Sequence, residues 1–580
     1  MHAALLVAEI FRIIVDEAYL LDPAHCASLA RTCRAFTDIA LDALWAYQYN
    51  LAPLIMTMPS DLWTEEITTE GLSYLRFIRS NRSSDWERFD FYARRIRSFG
   101  DDQPFIEDIF PRACISHRIF RAIERRVVYA PVFPNLRRLT WRWPLGAWEI
   151  DDPEIPEEFD MEHWKYSAFI HIFLGGRIKS ISIYNWPSHR ANTFDLLCNI
   201  SSFPSECPSL EELFLDYPLD EDSLGSEFLS NLSDAVMKMN RLTSFHVRCH
   251  FKPGVLEHLA TLPSLSTLRL YWLPEHRHLL PPPSFSISAP PPTPLFRNLR
   301  TIDIKTLSIR PFISLFASSP QAPLEDISIE LLTIEPTSLI KEFLTALTNS
   351  NGRLLDSLKW LSLRSLADDE VHVQDESDGA LYLRQIFVFH NMAWFTWPST
   401  YIFRDWDEST ILDLAFAWPH LRSLDLQVDD SRGRPPTNLK ELTISLRILE
   451  ILVRNCPGFC SISVPFDARA ADIKERLGHI QGLGKTTPED PASLWVNTSI
   501  IREEEEGDLE IIAQYLSHLF PDLDGETFLW ESKIFPIGTE MRRRWKMVWN
   551  IMKSIRKERA APHGEVQLWP IFTKQRRQGG

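Results

Sequence analysis

Five stretches of this 580-residue chain are versions of one nine-residue pattern: FPNLRRLTW (133–141), CPSLEELFL (207–215), LPSLSTLRL (262–270), WPHLRSLDL (418–426) and CPGFCSISV (456–464). Each reads Pro-x-Leu-x-x-Leu-x-Leu with apolar replacements, and looser copies are anchored at Ile178, Leu242, Leu299, Leu324, Leu358 and Leu383. The anchors fall at 136, 178, 210, 242, 265, 299, 324, 358, 383, 421 and 459. Three apolar residues at fixed positions recur by chance once in ~30 windows, so leucines alone are weak evidence. The proline two residues before the anchor (Pro134, Pro208, Pro263, Pro419, Pro457) makes coincidence a poor explanation. Self-similarity at intervals of this size marks a stack of supersecondary units, each too small to bury its own apolar face.

The pattern resembles a leucine-rich repeat. The two residues of Leu-x-Leu share one face of a short strand because side chains alternate with period 2. That face points into the core, and the earlier leucine turns inward from the approaching loop. The intervening segments return the chain, mostly as helices. SLGSEFLSNLSDAVMKM (223–239) places Leu224, Phe228, Leu229, Leu232 and Val236 at helical spacing, and SLIKEFLTALTNSNG (338–352) does the same with Gly352 placed to end it. NLKELTISLRILEILVRN (438–455) begins like a strand repeat, but Leu442, Leu446, Leu449 and Leu452 favour a helix. Two segments read as surface insertions: the proline-rich PPPSFSISAPPPTP (281–294) and an acidic run at 149–162. The expected fold class is therefore α/β: a small N-terminal helical module followed by an irregular solenoid of parallel strands with helices outside. The expected division is 1–50 helical module, 51–130 helical linker, 131–500 solenoid, and 501–580 C-terminal cap and basic helical tail.

Composition narrows the function classes. A net charge of −17 argues against a protein that coats nucleic acid or anionic membrane. Residues 541–580 carry eleven Lys and Arg against Glu558 and Glu565, near +9, which leaves everything before them near −26. No apolar run reaches the ~18 residues of a membrane span, and Glu9 and Arg12 interrupt the first apolar stretch as a secretory signal. Eight cysteines with no Cys-x-x-Cys pair fit a reducing compartment, cytoplasmic and/or nuclear.

Neither a cofactor nor a metal is expected. GLGKTT (482–487) has His479 where a phosphate-binding loop needs glycine, and Pro488 interrupts the helix that should follow. HVRCH (246–250) and HRH (276–278) lack a second ligand cluster at zinc spacing, and His246 and Cys249 would face opposite sides of a strand. A nucleophile motif of the Gly-x-Ser-x-Gly kind is missing as well. In the tail, Met541, Trp545, Val548, Met552 and Ile555 form one apolar helical stripe flanked by basic residues. Such a helix either caps the solenoid or offers its basic face to an anionic partner.

The chain opens with LLVAEIFRIIVDEAYLLDPAHCASLARTCRAFTDIALDALW (5–45). Leu6, Ile10, Ile13 and Ile14 share one helical face, Asp22-Pro23 is a helix-start signal, and Leu29, Cys33, Phe36, Ile39 and Ala40 continue the apolar pattern. About three helices are predicted, a bundle small enough that a partner or the solenoid should complete it. These residues resemble an F-box, the motif that joins receptor subunits to cullin-based ubiquitin ligases. Leu6, Glu9, Ile10 and Phe11 match its first helix; Leu29, Cys33 and Phe36 match its middle segment; Leu44 and Trp45 match its closing Leu-Trp. Val7 and Ala8 stand where the family carries a proline before the glutamate.

SDWERFDFYARRIRSF (84–99), the first repeat at 133 and YLSHLFPDL (515–523) are similar, in order, to segments of fungal F-box proteins with degenerate leucine-rich repeats. The resemblance implies a non-catalytic substrate receptor. The module would bind a Skp-type adaptor and through it a cullin, and the repeats would hold a target protein. The alternative is a non-catalytic leucine-rich repeat interaction scaffold whose F-box is degenerate.

On the outward face of the predicted strands stand Thr140 and Arg142, Ser182 and Tyr184, Phe214 and Asp216, His246 and Arg248, Arg269 and Tyr271, Asp303 and Lys305. His246, Arg248, Arg269 and Tyr271 fall on neighbouring strands. They are the candidate target-binding patch, cationic and aromatic, suited to an acidic or phosphorylated segment.

Overall fold

The computed structural model describes the chain apart from residues 1–6, 68–72, 101–113, 128–130, 143–163, 185–199, 217–225, 249–251, 253, 272–294, 319–321, 350–352, 366–382, 399–406, 427–443, 465, 481–492, 497–498, 522, 524–527, 530–538 and 561–580. It divides into two compact units, 1–326 and 327–580. The proline-rich and acidic segments, GLGKTT, HRH, and Cys249 and His250 of HVRCH all lie outside the described residues.

The first unit opens with α1 (Ala8–Leu21), α2 (Pro23–Ala30) and α3 (Arg34–Ala46). Asp22 ends α1 in extended conformation, and its side chain accepts from the Ala24 amide at 2.8 Å to start α2, with Pro23 at the first helical position. Phe11, Val15, Cys26, Phe36 and Ala40 form the buried centre of this bundle. The rings of Phe11 and Phe36 stack at 3.9 Å.

Residues 51–130, read from the sequence as a helical linker, hold more than helices. α4 (Ala52–Met56), α5 (Glu87–Ala93) and α6 (His117–Val127) are joined by a small sheet of β2 (Trp63–Ile67), β3 (Ser73–Phe77) and β5 (Cys114–Ile115). β2 and β3 are antiparallel, and β5 runs parallel to β3. The SDWERFDFYARRIRSF segment is a joint. Arg79 ion-pairs with buried Asp85 at 2.7 Å, and with the Arg82 amide holds that carboxyl down at about 2. Asp90 takes Arg126 at 2.7 Å, Tyr92 stacks on Trp45 at 4.4 Å, and Arg95 reaches back to Asp38 and Asp42 of α3.

The repeat strands follow. β1 (Tyr47–Gln48), β4 (Ser98–Phe99), β6 (Arg138–Arg142), β7 (Ser180–Tyr184), β8 (Glu212–Leu215), β9 (Ser244–Val247), β10 (Thr267–Tyr271) and β11 (Thr301–Thr306) pair in parallel and in chain order. The array thus begins before residue 131, at the joint itself. A backbone ladder sets its pitch. The residue after each anchor donates its amide to the carbonyl of its counterpart one repeat earlier: Arg137 to Arg97, Lys179 to Arg137, Glu211 to Lys179, Thr243 to Glu211, Ser266 to Thr243 and Arg300 to Ser266, at 2.7 to 2.8 Å. The anchors Ile96, Leu136, Ile178, Leu210, Leu242, Leu265 and Leu299 are buried, as are Phe99 after the first and the two apolar residues of each strand after the others.

At Gly100 the chain leaves β4 with φ +86, and a Cβ there would lie 1.8 Å from the Thr140 carbonyl oxygen. Glycine is required at that point by both conformation and space.

The second unit continues the same construction. β12 (Asp326–Leu331) begins at the boundary, and β13 (Trp360–Ser365), β14 (Trp394–Thr396), β15 (Ser423–Asp425), β16 (Ser461–Ser463), β18 (Ser493–Trp495) and β20 (Phe528–Leu529) pair in parallel. A side pair is formed by β17 (Asp467–Arg469) and β19 (Ile500–Arg502). Helix Ser226–Val236 in the first unit and helices Thr337–Thr348, Glu408–Ala417 and Arg447–Asn455 in the second supply returns between strands. Of the ambiguous 438–455 segment, 447–455 is helix, Ser445 bridges Asp467 in parallel, and 438–443 lie outside the described residues.

One anchor is corrected. Leu383 precedes a 3-10 turn (Arg384–Val388), and the strand begins only at Trp394, so the anchor is Met392. The missed signal is Asn391. Its side chain donates to the Asp356 carbonyl at 2.7 Å, as Asn135 does to Arg94 and Asn298 to Pro263, each just before an anchor.

Candidate functional site

The front module turns an apolar stripe to solvent. Phe11 and Val15 fill the bundle, and the next stripe of α1 remains outside: Ile10 is 42% exposed, Ile13 63% and Ile14 42%, with Leu20 and Leu21 following at the helix end. The sequence placed Ile10, Ile13 and Ile14 on one face correctly, but that face is not the core face. Residues 11, 15 and 18 pack inward instead, because Phe11 finds Phe36. This divides the F-box-like residues. Glu9 and Ile10 are exposed; Leu29, Cys33 and Leu44 are half-buried against the core; Phe11 and Phe36 are within it. Trp45 is half-buried on Tyr92, and Leu6 lies outside the described residues. Phe11 and Phe36 therefore build the module rather than offer a surface, and the stripe adds Ile13 and Ile14 to the accessible set.

On the open face of the strands, the register puts Ser182, Phe214, His246, Arg269 and Asp303 in one row across β7 to β11. Arg248 follows two residues after His246, and Tyr271 two after Arg269. The predicted His246, Arg248, Arg269 and Tyr271 are brought together. Ring contacts run along the patch: Tyr184 to Phe214 at 4.5 Å, Phe214 to His246 at 4.1 Å and His246 to Tyr271 at 4.9 Å, the last two edge-on. The Arg248 guanidinium lies 5.3 Å from the Tyr271 ring centre.

The electrostatics differ from the cationic patch expected. Arg248 pairs with Asp216 at 2.9 Å, and Arg269 faces Asp303 at 3.9 Å. Tyr271 donates its hydroxyl to Asp303 at 3.1 Å and is itself pushed up to about 12, chiefly by burial. His246 is only 8% exposed, and neither ring nitrogen has a hydrogen-bond partner. Burial, with Arg269 and Arg248 beside it, pushes its pKa down to about 3, so the ring is neutral at physiological pH. Beyond Arg269, Asp326 is raised to about 6 by burial and by Asp303, and one of its carboxylate oxygens is unpartnered. Sequence reasoning set Asp216 and Asp303 on the outward face but left them out of the patch, and it did not place Asp326. Asp216 lies 32 residues from Arg248, and Asp303 and Asp326 lie 34 and 57 residues from Arg269, so it is the stacking of strands that makes them neighbours.

The tail helix Thr539–Ala560 buries Trp545, Val548, Trp549 and Met552 in the second unit, and the Trp545 indole donates to the Ser499 carbonyl at 3.0 Å. Arg544, Arg556 and Arg559 donate to the carbonyls of Ile501, Phe520 and Ser517. The stripe is used in packing, while Arg543, Lys546, Lys553 and Lys557 remain exposed. Among the described residues no cluster of three metal-ligating side chains occurs, and no helix is long and apolar enough to cross a membrane.

No protein-family model matches the chain, and no curated protein is similar to it. Among solved structures, a chain of the crystal structure of the Rad7 and Elc1 complex in yeast is similar with a TM-score of 0.29 and 14% identity, over 62% of this chain and 77% of that one. A likeness of that size carries no weight for fold or function; the chain's own residues must carry the reading.

Proposed function

We propose that this chain is the substrate-recognition subunit of a Skp-cullin-F-box type ubiquitin ligase, its front module an F-box and its strand arrays degenerate leucine-rich repeats. The module binds the adaptor, the adaptor contacts the cullin, and the open strand face holds the target. No covalent step belongs to this chain, and its place is the cytoplasm or nucleus. Its contribution is proximity, raising the target's effective concentration beside a ubiquitin-conjugating enzyme.

The observation that carries the reading is the exposed Ile10, Ile13 and Ile14 stripe on a bundle whose own core is already filled by Phe11, Val15, Cys26, Phe36 and Ala40. An apolar helical face left in water beside a motif for adaptor binding is what a docking subunit requires. The Arg95 and Trp45 contacts support it further, because they hold α3 firmly to the joint and so fix the module relative to the first strands of the same unit.

The test is retention of a Skp-type adaptor by the full-length chain. Ile10→Asp with Ile13→Asp should cut retention at least tenfold with the melting temperature unchanged, since both side chains are exposed. Phe11→Ala should instead destabilise the module by ~3–5 kcal/mol, the usual cost of emptying a buried phenylalanine site. Retention unaffected by the double change rejects the reading. The second reading, a scaffold with a degenerate F-box, draws on Val7 and Ala8 standing in place of the family's proline. It holds if the wild-type chain retains no adaptor.

A further inference from the structure

The target-binding face can be given a chemical preference. The following rests on the strand face being a target site, though not on the ligase role. We infer that the face recognises an extended peptide of dipolar character, with an acidic side chain over His246, Arg248 and Arg269 and a basic side chain three or four residues away over Asp303 and Asp326.

The positive end is built and incomplete. His246 is more than nine-tenths buried, on the outward row, with both ring nitrogens unpartnered. A buried polar group without a partner is costly, and a ligand atom would relieve it. The neutral ring offers one N–H and one acceptor. Arg269 reaches Asp303 only at 3.9 Å, beyond hydrogen-bond range, and its side chain is 46% exposed, so its planar fork is accessible to a ligand. Arg248 is held by Asp216 at 2.9 Å and steadied over Tyr271, which pre-orders it beside His246. Burial first, and then Arg269 and Arg248 beside it, lower the basicity of His246.

The negative end lies across the strands. Asp303 is in register with Arg269 on the next strand, and Asp326 opens the strand after that. Burial and Asp303 together make ionised Asp326 unfavourable, and one of its oxygens is unpartnered. A cation placed there would relieve both faults. Parallel strands lie ~4.8 Å apart, so His246 is two strand spacings, roughly 10 Å, from Asp303, while Asp326 stands one strand further on and level with Thr301, two residues behind that row. An extended peptide advances ~3.3 Å per residue, which sets the separation at three or four residues. The edge-on rings of Phe214, His246 and Tyr271 supply the apolar floor between and beside the charges. An acid-only target, by contrast, would bring further negative charge toward Asp303 and Asp326 and no cation to offset it.

The experiment uses the full-length chain and fluorescein-labelled eleven-residue peptides of Ser, Gly and one Leu, carrying one Glu and one Lys at separations of one, three, four or eight residues. Parallel peptides carry two Glu or one phosphoserine. Peptides with separations of three or four should bind about tenfold tighter than those with one or eight, and tighter than the acid-only peptides. Asp326→Asn should erase the spacing preference, and Arg269→Gln should erase discrimination of Glu from Gln in the peptide. Equal or tighter binding of two-Glu or phosphoserine peptides overturns the inference, as does binding indifferent to spacing. Because the spacing series varies the peptide and not the protein, a variant that fails to fold leaves that result standing. Adaptor retention is scored separately. Spacing-dependent binding without adaptor retention upholds the dipolar site and sinks the ligase role, and the converse result does the reverse.

Discussion

Asp326 offers a prediction whose size follows from its surroundings. Its carboxyl sits at about 6 in the folded chain, raised from 3.8, with burial the leading cause, Asp303 adding to the rise and Arg269 opposing it. Lys305 stands on the same strand as Asp303, and Arg300 pairs with Glu325 immediately before Asp326. A carboxyl raised by folding is more readily ionised in the unfolded chain, so the native state is penalised as pH climbs from about 4 to about 6 and by a constant amount above that. Two pH units at 1.36 kcal/mol each set a ceiling of ~3 kcal/mol, and partial exposure to water brings this to ~1–2 kcal/mol. Asparagine mimics the protonated form. Asp326→Asn should therefore raise the melting temperature at pH 7.5. For a unit of 326 residues, unfolding entropy of ~2.1 cal/mol/K per residue converts that gain to ~1.5–3 °C. At pH 5.0 the wild-type carboxyl is largely protonated when folded, and the gain should shrink to roughly half. Differential scanning calorimetry of both proteins at the two pH values measures it. A destabilised Asn variant at pH 7.5, or a gain that grows on acidification, would refute the argument that this carboxylate is held against its solvation preference.

Two further substitutions probe the frame. Gly100→Ala forces a Cβ into the Thr140 carbonyl at positive φ and should cost ~3 kcal/mol or more, whereas Gly254→Ala, also at positive φ but with open space around it, should cost only ~1 kcal/mol; equal melting shifts would contradict the close approach. Glu450, 1% exposed, accepts from Arg454 at 2.9 Å, from Arg476 at 2.7 and 3.0 Å and from the buried Tyr515 hydroxyl at 3.4 Å. Glu450→Ala should cost ~3 kcal/mol, mainly by stranding Tyr515 and breaking the two charge-assisted pairs, and Glu450→Gln visibly less because an acceptor survives; denaturant midpoints for the two variants in the reverse order would exclude this role.

Much of the architecture could be read from residue spacing. Leu-x-Leu after an inward anchor is a local pattern, and period 2 alone decides which residues face the core, so Leu210, Leu213 and Leu215 or Leu265, Leu268 and Leu270 needed no neighbour to be placed. The same holds for Asp22-Pro23 as a helix start and for the stripe of the tail helix, each settled within a few residues of chain. Where two local patterns competed, spacing failed. Leu383 and Met392 both sit among apolar residues, and the choice was made by a side-chain hydrogen bond from Asn391 to the preceding repeat. Likewise α1 carries two apolar stripes one residue out of phase, and only the arrival of Phe36 from α3 decided which one is buried.

The charge pattern of the open strand face was the least legible. Arg248 and Asp216 are 32 residues apart, Arg269 and Asp303 are 34 apart, and both become neighbours because parallel strands stack one repeat upon the next. The repeat anchors already say which strand positions face one another, as the ladder from Arg97 to Arg300 bears out, but no local feature says which facing side chains turn toward each other and pair. Side-chain direction is a property of a few consecutive residues and survives in one dimension. Which charges meet across the sheet, and hence whether the face is cationic or dipolar, depends on distant segments being placed side by side.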